Sequence, residues 1–178
     1  IPHQGRITLE GQSPDLRTAQ TAMRSGIGLV ARDRVGESVA PGMAIRENAF
    51  LNPSATGRGL LSFLGAKREE GMARAIGSRV GLSPNDPTLA IEALSGGNQQ
   101  KVVVGRWLDS GRRLMITEDP TAGVDVELRR DMWKQIGAMR EAGTTIILTT
   151  HYIEEAEEMA DRVGVIDKGK LLLVEEKR

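Results

Sequence analysis

The sequence contains no cysteine, has no net charge and has few aromatic residues, and each absence excludes a class of function. Without cysteine the chain can form neither a disulfide nor a thiolate metal site. Its 24 basic side chains are balanced by 24 acidic ones, so no overall field favours nucleic acid or an anionic membrane. Aromatic residues make up only 3% of the sequence, too few to provide a row of base-stacking platforms. We therefore expect no nucleic-acid partner.

The sequence also lacks a long hydrophobic run. Its longest apolar stretches, such as residues 146–148 and 171–174, are far shorter than the roughly 20 residues that cross a bilayer. We therefore expect no direct membrane insertion, so any membrane role would require a separate partner. The chain begins at Ile1, without an initiator methionine or a targeting pattern, and is expected to be a piece of a longer protein.

The first half of the 178-residue sequence predicts short elements followed by a helical insertion. Residues 5–12 alternate apolar and polar side chains, which predicts a half-buried strand. A short helix at 14–25 and a strand at 27–31 follow. From about residue 36 to 93, Pro, Gly, Asn and Ser interrupt the pattern at 41–42, 52–59 and 83–87, with helical stretches at 44–51 and 66–81.

After residue 95 the pattern becomes regular and predicts a parallel sheet. A strand, a helix and a second strand with a crossover of this length form a right-handed parallel βαβ unit. Apolar and β-branched runs predict that both strands are buried. The predicted elements are a helix from 95 to about 109, a strand at 114–116, a helix at 126–141 ended by Gly143, a strand at 144–150, a helix at 153–161 and a hairpin of 163–167 with 170–174.

Residues 94–108 read LSGGNQQKVVVGRWL and predict an anion site at the start of a helix. Gly96 and Gly97 let the backbone approach an anion without a Cβ clash, and Ser95 adds a hydroxyl donor. The free N–H groups and positive dipole end of the helix would point at the same anion. The alternative is an ordinary Ser-Gly-Gly loop that caps a surface helix, with Asn98 and its amide neighbours facing solvent.

Two carboxylates and an imidazole follow the two C-terminal strands. Glu118 and Asp119 end the first strand and His151 ends the second. Because parallel strands place their carboxyl ends at one edge of the sheet, we expect these groups to converge. One carboxylate could hold Mg²⁺ through water, the other could orient or deprotonate an attacking water, and the histidine could sense a γ-phosphate. The alternative is a capping acid pair and a solvent-exposed histidine, and the acidic run 154–158 is expected to be a solvated helix face.

Four segments resemble the motifs of ABC ATPases, in the order that this family has them. LSGGNQQKV resembles the family's signature sequence, and its Asn-Gln-Gln-Lys continuation is most similar to the sugar-importer branch. LMITEDPTAGVD at 114–125 resembles the Walker B strand and D-loop. Residues 149–171 resemble the switch-histidine segment, in a version closer to drug exporters, and GIGLVARDR at 26–34 lies where the family has its Q-loop. The matching segments together span roughly residues 5–175.

The resemblance implies an α/β fold and a division into three parts. The fold would be a partial P-loop NTPase (RecA-like) core with a parallel βαβ unit, a helical signature subdomain and terminal β-hairpins. Residues 1–35 would be the strand and Q-loop portion of the nucleotide-binding core, and 36–100 the helical subdomain that ends in the signature. Residues 101–178 would hold Walker B, the D-loop and the switch histidine.

The resemblance also implies the role of each candidate residue. Ser95, Gly96 and Gly97, with Asn98 beside them, would contact the γ-phosphate of ATP bound to the opposite subunit of a head-to-tail dimer of ABC ATPase domains. Glu118 would bind Mg²⁺ through water, and Asp119 would be the general base. His151 would be the phosphate sensor, and Asp125 would lie at the dimer contact. The complete protein would bind ATP and Mg²⁺, and it would lie in the cytoplasm on the inner face of the membrane, held by an integral transporter subunit.

Three features depart from the family pattern. No phosphate-binding loop is present, because the nearest match, at 164–171, ends in leucine and lies between two strands. The usual Asp-Glu pair is reversed as Glu118-Asp119, and a displacement of about 1 Å can cost on the order of 10²-fold in rate. Arg32 stands at the Q-loop position, where it cannot accept a hydrogen bond or ligate a metal.

These departures leave two hypotheses for the function. The first is a fragment of an ATPase subunit that couples ATP hydrolysis to transport, of a sugar by its resemblance, and that is inactive alone. The second is a degenerate, non-hydrolysing half that completes or regulates a partner's ATP site.

Overall fold

A computed structural model describes residues 5–51, 65–108, 110–121 and 124–177. The predicted breaks at 52–59, the D-loop positions 122–123 and the predicted helix end at 109 lie outside the described residues. In the described ranges no helix is long and apolar enough to span a bilayer.

A three-stranded parallel sheet carries the candidate site. Its strands are β1 (Ile27–Val30), β2 (Leu114–Glu118) and β3 (Thr145–Thr149), and β2 lies in the middle. The register pairs Val30 with Thr117 and Glu118 with Thr149, so all three strands end at one edge. The parallel βαβ unit predicted from the sequence is confirmed. A separate antiparallel hairpin of β4 (Arg162–Asp167) and β5 (Lys170–Glu176) follows, as predicted.

Six α-helices surround the sheet or form the helical part of the described chain. They are α1 (Ala19–Arg24), α2 (Ile45–Ala49), α3 (Ala66–Arg79), α4 (Gly96–Leu108), α5 (Val126–Glu141) and α6 (Ile153–Met159). A π-helical turn at Arg34–Ser38 and a 3₁₀ turn at Ile91–Ala93 lie among them.

Local chemistry accounts for both ends of α5, the helix that crosses from β2 to β3. The Asp125 carboxylate accepts a hydrogen bond from the Leu128 N–H at 2.8 Å and so caps the first turn. Met132, Ile136 and Met139 are buried along one stripe. Gly143 then takes a φ of +95°, the left-handed conformation that ends helices and favours glycine.

Helix α4 joins two hydrophobic clusters. On the sheet side, Val103 and Trp107 pack with Val30, Met115 and Met139. On the other side, Val102 packs into the helical cluster, whose remaining buried members are Ile45, Ala49, Ala73, Val80, Leu82, Ile91 and Leu94. The helix that begins at the signature therefore ties the helical part to the sheet.

A largely buried arginine reinforces this connection. Arg106 of α4 donates from Nε to the carbonyl oxygen of Asn48 at 2.9 Å and from Nη2 to that of Ser38 at 3.0 Å. Burial lowers the pKa of Arg106 to about 10, because removal from water disfavours the charged form. The side chain therefore remains a cation at neutral pH and holds two carbonyl groups of the helical part.

Three predictions about the elements are wrong. Residues 5–12 form no strand, only a tight turn in which Leu9 and Gln12 exchange two backbone hydrogen bonds, and Ile7 is 45% exposed. Apolar and polar residues alternate in this segment, but no neighbouring strand in the described chain pairs with it. The first helix begins at Ala19 rather than 14, where the Thr18 side chain caps it.

The third error concerns β3, which is not a fully buried strand. Ile146 packs against the sheet cluster, but Ile147 on the opposite face is 48% exposed. Leu29, Ile116 and Ile147 form one row across the three strands, and Leu29 is also 50% exposed. A β-branched run predicts cover on both faces, whereas in the described residues only the face that bears Ile146 packs into the hydrophobic cluster of the sheet.

Close packing of α3 against α4 gives a testable consequence. A Cβ on Gly105 would lie 2.7 Å from Cγ2 of Ile76 and 3.2 Å from Cγ1 of Val80, so Gly105→Ala is expected to lower the free energy of unfolding by about 1–3 kcal/mol. Gly71 in α3 has open space around it, so the matched change Gly71→Ala is expected to raise the same quantity by about 0.5–1 kcal/mol. Urea unfolding of both variants measures the difference. Equal effects would contradict close packing at Gly105.

Candidate active site

Asp119 and His151 meet at the edge where the parallel strands end. The Asp119 backbone N–H donates to the carbonyl oxygen of Thr149 at 2.9 Å, which fixes the end of β2 against β3. From there the Asp119 Oδ1 lies 3.0 Å from Nδ1 of His151. The convergence predicted from the two strand ends is therefore present for Asp119 and His151, although 32 positions separate them in sequence, whereas no side-chain contact joins Glu118 to either residue in the described part of the chain.

Asp119 owes its direction to an unusual backbone conformation. Its φ is +40°, in the left-handed region that aspartate tolerates better than most residues. The side chain is only 14% exposed, whereas the Glu118 residue directly before it is exposed. The two neighbouring acids therefore differ in environment: Asp119 is held within the edge, and Glu118 reaches solvent.

Arg32 occupies the third side of this cluster. It follows β1 by two positions, and its Nη1 lies 3.5 Å from Oδ2 of Asp119. The Arg32 side chain is 67% exposed, so the guanidinium pairs with the carboxylate while much of the side chain stays in contact with solvent. The sequence identified Arg32 as a misfit at its position but did not predict this ion pair. The signal that could have found it is the adjacency of β1 and β2, which places residues after both strands at one edge.

The signature segment begins α4, and Ser95 caps that helix. The Ser95 Oγ accepts from the Asn98 backbone N–H at 3.4 Å and from Asn98 Nδ2 at 3.1 Å. The Asn98 Oδ1 in turn accepts from the Ser83 N–H at 3.1 Å. Asn98 is thus engaged in the fold and does not simply face solvent. The capping alternative is present, and it is compatible with phosphate binding, since a hydroxyl that accepts two bonds still has its own hydrogen to donate.

The rest of the signature is fixed by packing, and its first residues stay accessible. Gln99 donates from Nε2 to the carbonyl oxygens of Ile91 and Leu94, and Gln100 is buried. A Cβ on Gly97 would overlap the Cδ2 methyl of Leu128 in α5, so a larger residue there would require the Leu128 side chain to move. Ser95 and Gly96 are exposed.

The signature and the strand edge do not meet within this chain. In the described part of the molecule, no hydrogen bond or ion pair joins the segment 95–98 to Glu118, Asp119 or His151. Asp125, predicted as a dimer contact, is the N-cap of α5 and is exposed. The chain therefore presents two separate sets of candidate residues.

The sequence did not predict a buried contact that lies next to the site. Thr121 and Glu155 are both fully buried, and the Thr121 hydroxyl donates to Oε1 of Glu155. Glu155 lies in the acidic run of α6, which the sequence predicted to be a solvated face. Arg129 covers the Tyr152 ring, with its guanidinium carbon 4.5 Å from the ring centroid. These contacts hold the segment after β2 against the helix that follows His151, and tertiary packing alone reveals them.

The side chains at the edge fit Mg²⁺ only as part of a larger coordination shell. No group of three or more His, Asp and Glu residues in the described ranges could hold a metal by itself. Mg²⁺ commonly keeps several waters and binds through one or two carboxylates and substrate phosphates. The exposed Glu118 suits that arrangement, whereas both oxygens of Asp119 already face Arg32 or His151.

The architecture and the family model define the class of protein. An ABC transporter family model matches residues 1–122, which include the signature and the Walker B strand. The chain therefore belongs to the ABC transporter ATP-binding family, and its fold is that of an ABC ATPase cassette.

Curated relatives include importers of pentoses. The chain is 35% identical over 167 residues to the ribose import ATP-binding protein RbsA 3 of Rubrobacter xylanophilus, covering 94% of this chain and 33% of that protein. It is 32% identical over 168 residues to the xylose import ATP-binding protein XylG of Escherichia coli, covering 94% of this chain and 33% of that one. The chain thus spans about a third of the length of these relatives.

Solved structures share the fold. The dimeric ABC transporter cassette MJ0796 superposes with a TM-score of 0.81 at 22% identity, covering 99% of this chain and 75% of that one. The CbiO1 protein of Clostridium perfringens gives a TM-score of 0.73 at 22% identity, covering 98% of this chain and 67% of that one.

Proposed function

We propose that this chain is the part of an ABC-type ATPase subunit that follows the phosphate-binding loop. The complete protein would couple ATP binding and hydrolysis to the import of a sugar, as the names of its relatives state for those proteins. The observation that carries this proposal is the pairing of Asp119 with His151 at the edge of a parallel sheet, in a chain that presents an exposed signature elsewhere.

The exposed face of the sheet supports the proposal that a segment bearing the phosphate-binding loop packs there in the complete protein. Parallel sheets are normally covered on both faces. Here the row of Leu29, Ile116 and Ile147 lies on the face opposite the hydrophobic cluster of the sheet, and within the described ranges two of its members are about half exposed. A further strand and helix bearing the phosphate-binding loop would cover such a face.

The signature would act on a nucleotide held by a second ABC domain. Ser95 has a hydroxyl to donate, Gly96 is exposed, and the first N–H groups of a helix have no acceptor within the helix, so those of Gly96 and Gly97 would be available to a phosphate. Asn98 would position the Ser95 hydroxyl through the bond that the structure shows, and Gly97 would allow close packing of α4 on α5. Because these residues do not meet the strand edge of their own chain, a head-to-tail dimer would use them in the partner's site.

The strand edge would bind the nucleotide of its own subunit. Glu118 would hold Mg²⁺ through water, and the metal would neutralise phosphate charge. Asp119 would accept a proton from the attacking water, while His151 would fix the Asp119 carboxylate and contact the γ-phosphate. Asp125, at the start of α5, would lie at the dimer contact.

The same proposal implies where the protein lies in the cell and how the chain is divided into domains. An integral membrane transporter subunit would hold the protein on the cytoplasmic face of the membrane. The two hydrophobic clusters support a division into a core of 1–35 and 101–178 and a helical subdomain of 36–100, joined by α4.

A degenerate half that completes or regulates a partner's site is the second candidate. The Arg32 guanidinium beside Asp119 favours it, because a carboxylate oxygen that faces a guanidinium is not free to face an attacking water. The reversed acid pair favours it as well. In both candidates the signature serves a partner's ATP.

We expect the 178-residue chain alone to bind Mg-ATP no more tightly than about millimolar and to show no turnover. The physical reason is that most of the phosphate contacts of such sites come from the backbone N–H groups and lysine of a phosphate-binding loop. Isothermal calorimetry measures the affinity. Micromolar binding would contradict the claim that the missing loop is decisive.

A further inference from the structure

Arg32 lies at the carboxyl ends of parallel strands, where open α/β sheets bind their ligands. Its side chain is 67% exposed, and its guanidinium pairs with Asp119 at the edge where β1, β2 and β3 end. The His151 ring, with a side chain 56% exposed, faces the same carboxylate from the other oxygen. A cation and an imidazole thus flank one partly buried acid.

The pair between Arg32 and Asp119 is easily exchanged. Its 3.5 Å separation exceeds the roughly 2.7–2.9 Å of a tight charge-assisted hydrogen bond. Ion pairs that involve an exposed side chain contribute little stability, because water solvates the charge equally well. A phosphate offers the guanidinium two parallel acceptors and more negative charge than a single carboxylate oxygen.

We propose that Arg32 binds the terminal phosphate of a nucleotide and releases Asp119 as it does so. This inference rests on the proposed function, since it assigns a ligand to the same edge. In the structure, the Arg32 guanidinium faces Oδ2 of Asp119 and the His151 ring faces Oδ1. When the guanidinium turns to phosphate, Oδ2 becomes free to face water while His151 keeps the carboxylate in place.

The exchange makes Arg32 both a phosphate ligand and a switch on the candidate base. By this proposal, the arginine at the Q-loop position does more than remove a metal ligand. It supplies positive charge to the phosphate from the protein itself, and Asp119 is exposed to water only when a phosphate is present.

The test measures phosphate binding by NMR, in the 178-residue chain without Mg²⁺. ATP, inorganic tripolyphosphate and AMP are added stepwise to wild type, Arg32→Gln, Arg32→Lys and the control Arg68→Gln. Arg68 is an exposed residue of α3, so its variant removes one positive charge away from the strand edge. The reporters are the Arg32 Nε–H signal and the backbone amides of Asp119 and His151.

We expect ATP and tripolyphosphate to shift these signals at millimolar concentration and AMP to leave them unchanged. Arg32→Gln should weaken the binding about tenfold, Arg32→Lys should restore part of it, and Arg68→Gln should match wild type. Equal affinity of wild type and Arg32→Gln would overturn the proposal, as would the absence of any shift.

A double-mutant comparison separates exchange from simple charge effects. Asp119→Asn frees Arg32 and removes a negative charge, so it should raise tripolyphosphate affinity in the wild-type background. If Arg32 is the ligand, the same change should have a clearly smaller effect in the Arg32→Gln background. Equal effects in both backgrounds would overturn the exchange. Hydrolysis by the protein that includes an upstream phosphate loop tests the proposed function independently.

Discussion

Replacing Ser95 by glutamate is expected to reduce ATP turnover about 10³-fold in the dimer of the complete protein. Ser95 is exposed at the start of α4 and its hydroxyl accepts from Asn98, which leaves its hydrogen free for the contact with the partner's γ-phosphate that we propose. A carboxylate there cannot donate and repels the phosphate. A steady-state assay of phosphate release measures the loss.

The structure offers a matched control for this change. Ser13 is also exposed, and it lies with Arg24, Ser25 and Arg113 at the opposite edge of the sheet, where β1 and β2 begin. Ser13→Glu adds the same charge and should leave turnover unchanged. Turnover by Ser95→Glu close to that of wild type would contradict a role of the signature in ATP hydrolysis.

Exchanging the acids, as Glu118→Asp with Asp119→Glu, is expected to raise turnover on the order of 10²-fold in the same complete protein. The exchange restores the order found in the family. It shortens the side chain that we propose to bind Mg²⁺ by one methylene and lengthens the side chain of the candidate base by one. Single-turnover measurements isolate this effect from product release.

Asp119 has a left-handed backbone, which glutamate tolerates less well, so thermal unfolding of the double variant must accompany the assay. A folded double variant with unchanged turnover would show that the acid order is not limiting. It would then favour the non-hydrolysing half as the function of this chain.

Elements with strong local signals were predictable from the sequence. Helix α5 has bounds of 126–141 in both the sequence and the structure, because an aspartate caps its start and a glycine with positive φ follows its end. The hairpin of β4 and β5 was predictable for a similar reason, since Lys168-Gly169 forms its turn with both residues at positive φ.

Elements that depend on a distant partner were not predictable. The alternation at 5–12 needs a neighbouring strand, and its sequence does not specify one. The exposure of Ile147 depends on which face of β3 carries a helix, and a β-branched run gives no information about that.

The candidate site divides in the same way. The convergence of Asp119 and His151 was predictable, because both residues follow parallel strands whose carboxyl ends lie at one edge of the sheet. Arg32 beside Asp119 and the buried Glu155 depend on side-chain directions across elements, so only the folded chain reveals them. The three-residue amide run after the glycines could be read as surface or as site, and the bonds of Asn98 show that it is part of the fold.

Complementation tests most directly whether this chain completes a partner's ATP site. In the proposed complete protein, Ser95→Glu would keep the phosphate loop and disable the signature, whereas the sequence of residues 1–178 has the signature and no phosphate-loop motif. Mixing the two is predicted to restore ATP turnover at the loop-bearing subunit, and the 178-residue chain carrying Ser95→Glu is predicted to restore none. No restoration by the wild-type chain, or equal restoration by its Ser95→Glu variant, would contradict the account.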